Sequence, residues 1–326
     1  MPTPKVKKFN TIPTIADIQM VHEAIAPYIH RTPILTSQSI NEIAGAELYF
    51  KCENFQKVGA FKMRGAACAA LALSENEIAK GLATHSSGNH AQAVSLAAKS
   101  LGTKAYIVMP INAPEIKKQA TQGYGAAITL CEPTLEARES TLAEVVAETG
   151  ATFIHPYDNY NVIAGQASCA KELLEDAPLL DAIISPIGGG GLMSGTALST
   201  KYFTSKTEIY GAEPEAVNDA YRSVKSGELK FNTTTDTIAD GLKTNLSEKT
   251  FDIIQREVKE IFTVSEEEIV AAMKIIWERL KIIIEPSCAV PFAAILKHPE
   301  PFSQRKVGII LTGGNVDVNK LPFTKN

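Results

Sequence analysis

The sequence predicts an α/β protein built on two open, twisted, largely parallel sheets with flanking helices. Three observations predict it. Apolar runs of strand length alternate with helical stretches along most of the chain, the pattern of parallel strands joined by right-handed crossovers. The alternation falls into two series, each able to close its own layer. Two strand-to-helix junctions are rich in Gly or Ser, as the ligand-bearing carboxyl ends of such sheets are.

Residues 14–29 place Ile15, Ile18, Val21, His22 and Ile25 at helical spacing. Residues 46–52 read as a strand, and the Ala-rich stretch 61–73 as a helix. The first series then has strands at 82–85, 104–109, 126–130 and 152–155, with helices near 114–122 and 135–149. The second has a strand at 182–186, a Gly loop, a helix at 192–202, a strand at 208–212, a helix at 266–280 and a final strand at 307–311. Residues 225–243, with their Thr run, read as the longest loop.

With 326 residues, 45% hydrophobic and 21% charged, the chain has a globular composition and length for about two domains, or one carrying an insertion. The 32 Lys and Arg against 36 Asp and Glu leave a net charge of −4, and no basic run beyond Lys5-Val6-Lys7-Lys8 invites nucleic acid or an anionic membrane. No apolar window reaches membrane-span length and Met1-Pro2-Thr3-Pro4-Lys5 has no signal-like stretch, so a cytoplasmic location is expected. Cys52, Cys68, Cys131, Cys169 and Cys288 are scattered without a C-x-x-C pair. They are expected as reduced, buried thiols, with neither a disulfide framework nor a zinc site.

Three segments carry chemistry. Gly188-Gly189-Gly190-Gly191 follows an apolar strand and precedes a helix, where free N–H groups and the positive end of a helix dipole suit a phosphate. A tight βα turn is the plainer alternative, and neither a Walker loop nor G-x-G-x-x-G spacing is present. Ser86-Ser87-Gly88-Asn89-His90 sits between a strand and an Ala-rich helix; it reads as a carboxylate receptor or as a cluster of helix caps. In Gly59-Ala60-Phe61-Lys62-Met63-Arg64-Gly65 a lysine lies among apolar residues at a helix start, where burial and the helix end would lower an amine's pKa and favour a nucleophile; a merely solvated lysine is the plainer reading of this segment alone.

In this order the three segments, with Gly313-Gly314-Asn315, resemble the fold-type II family of pyridoxal-phosphate enzymes from about Thr14 to Asp317. Within it they are most similar to the serine/threonine dehydratase branch and its racemase group. The resemblance implies a tryptophan synthase β-like fold. Lys62 would bind the cofactor aldehyde and then act as acid/base on one face of the substrate Cα. Phe61 would pack on the pyridine ring, Asn89 meet its 3-oxygen, Gly188, Gly189, Gly190, Gly191 and Met193 hold the phosphate, and Thr312 set a hydroxyl against the ring nitrogen. A neutral hydroxyl supports a protonated ring nitrogen less than a carboxylate would, which favours prompt loss of a β-hydroxyl. Ser87 matches the acid/base on the opposite face, and racemisation needs two such groups. Hydroxyaspartate dehydratases carry this serine too.

The same resemblance implies a divalent-cation site, Mg²⁺ or Ca²⁺, at Glu213, the backbone of Val217 and Asp219; a charged loop after a strand is the plainer alternative. It places Glu285 near the ring nitrogen or a subunit contact. An ATP effector site maps in part onto Lys57, Tyr124, Lys281 and Asn315, although Gln38 and Ser39 depart from that pattern. Tyr157 and Ala167-Ser168 are further departures, and His22, His30 and His298 read as structural or surface residues.

The expected function is therefore interconversion of L- and D-serine together with elimination of water to pyruvate and ammonia, the carboxylate being held by Ser86, Asn89 and His90. A homodimer is expected. A threo-3-hydroxyaspartate or L-threonine ammonia-lyase is the alternative, with Arg138 as a candidate for a second carboxylate; a non-catalytic amino-acid sensor is the alternative of another class. Because Lys62 and Gly188 are distant in sequence yet would serve one cofactor, the large domain is expected at 1–81 and 154–326, with 82–153 as a small mobile domain.

Overall fold

The computed structural model describes residues 5–113 and 115–323; Met1-Pro2-Thr3-Pro4 and Pro114, at the start of an expected helix, lie outside them. Ten strands form among the described residues: β1 (Ile34–Leu35), β2 (Glu47–Cys52), β3 (Leu82–His85), β4 (Ala105–Pro110), β5 (Ala127–Cys131), β6 (Thr152–Phe153), β7 (Ala182–Pro186), β8 (Glu208–Pro214), β9 (Glu260–Val264) and β10 (Lys306–Leu311). They make a six-stranded sheet in the order β1-β2-β10-β7-β8-β9 and a four-stranded sheet in the order β5-β4-β3-β6. Only β1 and β2 pair antiparallel.

The six-stranded sheet belongs to a compact unit of Arg31–Phe61 and the residues from Gln166 on. Its apolar strands feed two cores. Ile184 and Ile309 join Phe50, Tyr210, Phe292 and Phe302 in one cluster, while Ile183 and Ile310 join Cys169, Leu173 and Leu192 in another. Alternate residues of a strand point to opposite faces, so β7 is buried at every position. Covered faces explain why these strands read as continuous apolar runs. A charged pair is buried here as well: Lys51 Nζ lies 2.8 Å from Glu172 Oε2, with the two side chains 0% and 2% exposed, and also donates to Thr32 O at 2.7 Å.

The four-stranded sheet lies wholly within 82–153, the stretch set apart in the sequence. Its compact unit also takes in the residues up to His30, 62–81 and 154–165. Both faces of its central strands are covered: Ala83, Val108, Cys131, Leu142, Val145 and Ala151 cluster on one side, while Leu82, Ile107 and Met109, which alternate with them along the strands, are fully buried on the other. Edge strand β5 buries only Cys131, and Leu130 is 51% exposed.

Several elements depart from expectation for local reasons. The first helix ends at Ile25 and passes into a tighter turn, Ala26–Tyr28, at Pro27. Strand β6 stops at Phe153, before Pro156. Helix Pro286–Lys297 is apolar all round, contains Pro291 and is buried along almost its whole length, so it offers no amphipathic period. β1 is only two residues long, and β9 opens on the exposed Glu260 and carries the half-buried Thr263, so neither reads as a continuous apolar run. All five cysteines are free and buried, as the scatter predicts.

Candidate active site

In the unit of the four-stranded sheet, Lys62 is the first residue of helix Lys62–Leu71 and is half-buried. Its Nζ donates to Pro156 O at 3.0 Å, just beyond the end of β6. The loop after β3 carries the serine cluster. Ser86, Ser87, Gly88 and Asn89 are half-buried, Ser86 Oγ accepts from Gly88 N at 3.3 Å, and Gly88 caps helix Asn89–Ser100 without any side-chain cap bond. The earliest helical bond comes from Gln92 N to Gly88 O. The N–H groups of His90 and Ala91 thus have no partner within the helix. That favours the carboxylate receptor over the cap cluster.

His90 takes a different part from the one its position suggested. Its Nε2 lies 2.9 Å from Ile154 O; a carbonyl only accepts, so Nε2 carries the proton and Nδ1 is a bare lone pair. Nδ1 is buried without a partner among the described residues. Burial first, and the Lys62 charge second, push its pKa down to about 3, so the ring is neutral. An acceptor lone pair repels a carboxylate, so the contribution of His90 to such a ligand is its backbone N–H. Next to the loop, His85 stacks on Phe153 at 5.6 Å, Phe153 meets His155 at 5.5 Å, and Tyr157 stands edge-on to His155 at 4.7 Å. Burial and then the Arg138 guanidinium hold the His85 pKa below its usual value, which places Arg138 within electrostatic reach of this loop.

In the unit of the six-stranded sheet, the carboxyl ends of neighbouring strands carry the rest. After β7, Gly188 to Gly191 turn into helix Gly191–Phe203. A Cβ on Gly188 would meet Gly241 O at 2.9 Å, and one on Gly190, whose φ is +82°, would meet Leu246 Cδ2 at 2.6 Å. The glycines are therefore required by packing as well as by any ligand. The earliest helical bond is Ser194 N to Gly190 O at 2.8 Å, which leaves the N–H groups of Gly191, Leu192 and Met193 for an anion, as a phosphate cradle needs.

Past the end of β10, Thr312 is buried and Phe61 N donates to Thr312 O at 3.0 Å. Phe61 itself packs on the Leu173 and Leu192 cluster. Ala60 bridges Gly313, Gly314 N donates to Gly59 O at 2.9 Å, and Asn315 Nδ2 donates to Val58 O at 2.8 Å. Val58 has φ +59°, a conformation a β-branched side chain resists; the lacing to residues 312–315 holds it there. Glu285 N donates to Gly313 O at 3.0 Å, so Glu285 does lie beside this loop. Sequence reasoning missed Val58 and Cys288, which touches Thr312. Their signal was adjacency alone, to Gly59 and to Glu285-Pro286.

Glu213 and Asp219 are fully buried. Glu213 accepts from Ala220 N at 3.1 Å and Tyr221 N at 2.7 Å, and Asp219 from Asn232 Nδ2 at 2.6 Å and Leu246 N at 2.8 Å. Burial, and then the Asp219 charge, push the Glu213 pKa well up, while burial raises Asp219 to about 6. Two buried acids with lone pairs to spare are a fitting donor set for a hard dication; no group of three acidic, His or Cys side chains with metal-site geometry occurs among the described residues. Lys281 and Asn315 line one cavity of about 410 Å³ with Asn54, Phe55, Gly59 and Gly314. Lys57 is not among its lining residues, and Tyr124 belongs to the other unit. Of the remaining candidates, Ala167 O accepts from Ser199 Oγ at 2.7 Å and His298 stacks on Phe262 at 4.9 Å, both structural contacts.

A family model described as pyridoxal-phosphate dependent enzyme matches residues 25–313. The β-hydroxyaspartate dehydratase of Paracoccus denitrificans is 52% identical over 312 residues, covering 96% of this chain and 99% of that protein. The L-threo-3-hydroxyaspartate ammonia-lyase of Saccharomyces cerevisiae is 47% identical, with 95% of each chain covered. The crystal structure of serine racemase from Dictyostelium discoideum superimposes with a TM-score of 0.89 at 50% identity, covering 94% of this chain and 99% of that one.

Proposed function

Because the chain belongs to the family of pyridoxal-phosphate-dependent enzymes, we propose that it is a serine racemase that also eliminates water from serine to give pyruvate and ammonia. The observation that carries the reading is that one unit holds both Lys62, its Nζ anchored 3.0 Å from Pro156 O, and the Ser86 to Asn89 loop at an uncapped helix start. Bound pyridoxal phosphate supplies an aldehyde for the substrate amine and an electron-withdrawing ring that acidifies the Cα–H. Lys62 holds the aldehyde between turnovers and takes the Cα proton from one face. Ser87 Oγ returns a proton to the other face, giving D-serine. When the β-hydroxyl departs instead, elimination follows. Ser86 and the N–H groups of Asn89 and His90 hold the carboxylate. The N–H groups from Gly188 to Gly191 and of Met193 hold the phosphate, Phe61 covers the ring, the Asn89 amide meets the 3-oxygen and the Thr312 hydroxyl faces the ring nitrogen.

The identities of 52% and 47% to enzymes named for hydroxyaspartate favour one second reading, a threo-3-hydroxyaspartate ammonia-lyase, with Arg138 as the candidate for the second carboxylate. Ranking kcat/KM for L-serine, D-serine, L-threonine and hydroxyaspartate, with chiral product analysis, separates the two. Serine interconversion with comparable use of both enantiomers supports the racemase; a strong preference for hydroxyaspartate with no D-serine formed overturns it.

Glu213, the Val217 carbonyl and Asp219 are proposed to hold Mg²⁺ or Ca²⁺, where the dication offsets two buried negative charges. ATP is proposed as an effector at the cavity of Lys281 and Asn315. A cytoplasmic homodimer, and movement of 82–153 as the small domain, complete the reading.

A further inference from the structure

Cys288, in the N-terminal turn of helix Pro286–Lys297, and Thr312, one residue past β10, are both buried. The Cys288 Sγ lies 2.7 Å from Gly313 O, 2.9 Å from Gly313 N and 3.3 Å from Thr312 Oγ1. Burial, and then the charge of Glu285, hold the thiol pKa well above its usual value, so the sulfur carries one proton. A carbonyl only accepts and an amide N–H only donates. The S–H is therefore committed to Gly313 O, the Gly313 N–H to sulfur, and the one sense left for the third contact is Thr312 O–H to sulfur.

Sulfur is a weak acceptor. It fixes where the Thr312 oxygen sits without holding its proton firmly, and a pyridine nitrogen is the stronger acceptor. A serine at 288 would compete for that proton as an oxygen does; an alanine would leave the hydroxyl undirected but free to donate. We propose that Cys288 is a positioning residue that presents the Thr312 hydroxyl as a releasable donor to the ring nitrogen of the cofactor, an inference that rests on the functional reading above.

The test compares wild type, Cys288→Ser and Cys288→Ala, each also in a Thr312→Val background. Three quantities are read: pyridoxal-phosphate dissociation constants from absorbance titration, the absorbance of the Lys62-linked cofactor, and Tm without cofactor. Cys288→Ser should weaken cofactor retention about threefold to tenfold, the worth of one neutral hydrogen bond, and shift the absorbance, with Tm kept. Cys288→Ala should weaken it less. The serine effect should vanish in Thr312→Val, since coupled residues are non-additive. Retention in Cys288→Ser equal to wild type, or a serine effect that persists in Thr312→Val, overturns this proposal alone. A wild-type protein that forms no Lys62-linked absorbance overturns the functional reading and this inference with it.

Discussion

The loops after β7, β8 and β10 spring from a six-stranded sheet backed by two apolar clusters, whereas the loop after β3 springs from a four-stranded sheet whose edge strand β5 buries only Cys131. The residues they carry differ in the same sense. In the proposed function, the unit of the larger sheet carries the groups that hold a ligand still: the glycine cradle, Phe61, Thr312 and the buried acids. The unit of the smaller sheet carries those proposed to handle protons and a substrate carboxylate: Lys62, Ser86, Ser87 and the His90 N–H. A fixed array of donors is effective only when it needs no rearrangement, while a loop that admits and releases substrate belongs to the less stable part of a molecule. On that proposal, the groups that hold and the groups that turn over belong to sheets that differ in the exposure of an edge strand, β9 against β5.

Substitutions in the two cores should sharpen that contrast. Lys51→Ala takes away the charge 2.8 Å from the buried Glu172 carboxylate and should cost about 3–5 kcal/mol. Leu142→Ala, in the cluster that reaches the exposed edge strand β5, should cost about 2 kcal/mol, the low end for such truncations, because the surroundings can collapse. Hydrogen exchange read separately over β7 and β3 checks both; equal losses in both sheets for either variant would break the comparison.

Acid should act on the unit of the four-stranded sheet next. The His90 pKa falls from 6.5 to about 3 on folding, so above pH 6.5 both states are neutral and nothing is lost. Between pH 6.5 and about 3 the unfolded chain takes a proton that the folded one refuses, and stability should drop by roughly 1 kcal/mol per pH unit. His90→Gln, which keeps a donor for Ile154 O, should flatten that slope in urea melts. An unchanged slope would mean His90 is protonated in the folded state.

The smallest effect is expected at Lys281, an exposed residue with φ +60° that closes helix Glu266–Leu280. Glycine is at ease there, so Lys281→Gly should stabilise by about 0.5–1 kcal/mol, seen as a higher Tm. A lower Tm would show that the lysine side chain contributes more than its backbone strain costs.

How much was legible in the sequence follows the same division. The strands of the covered sheet announced themselves as apolar runs, and β7 with its glycines falls where the pattern put it. The serine loop and Lys62 were visible because helix starts have local signatures. What could not be read depended on partners far away in the chain: that Nε2 of His90 is taken by Ile154, that Glu213 and Asp219 are held by Tyr221, Asn232 and Leu246, and that Cys288 reaches Thr312. Helix Pro286–Lys297 stayed hidden for a different reason, since a helix buried on every side has no period to detect.

The account stands most directly on proton delivery to the two faces of Cα, and Ser87→Ala measures it. With L-serine as substrate, D-serine formation and pyruvate release are followed in the same reaction. Racemisation should fall by at least about a hundredfold, the usual contribution of a positioned acid/base, while elimination persists through Lys62. Equal loss of both products would contradict the account, leaving Ser87 as a carboxylate contact only.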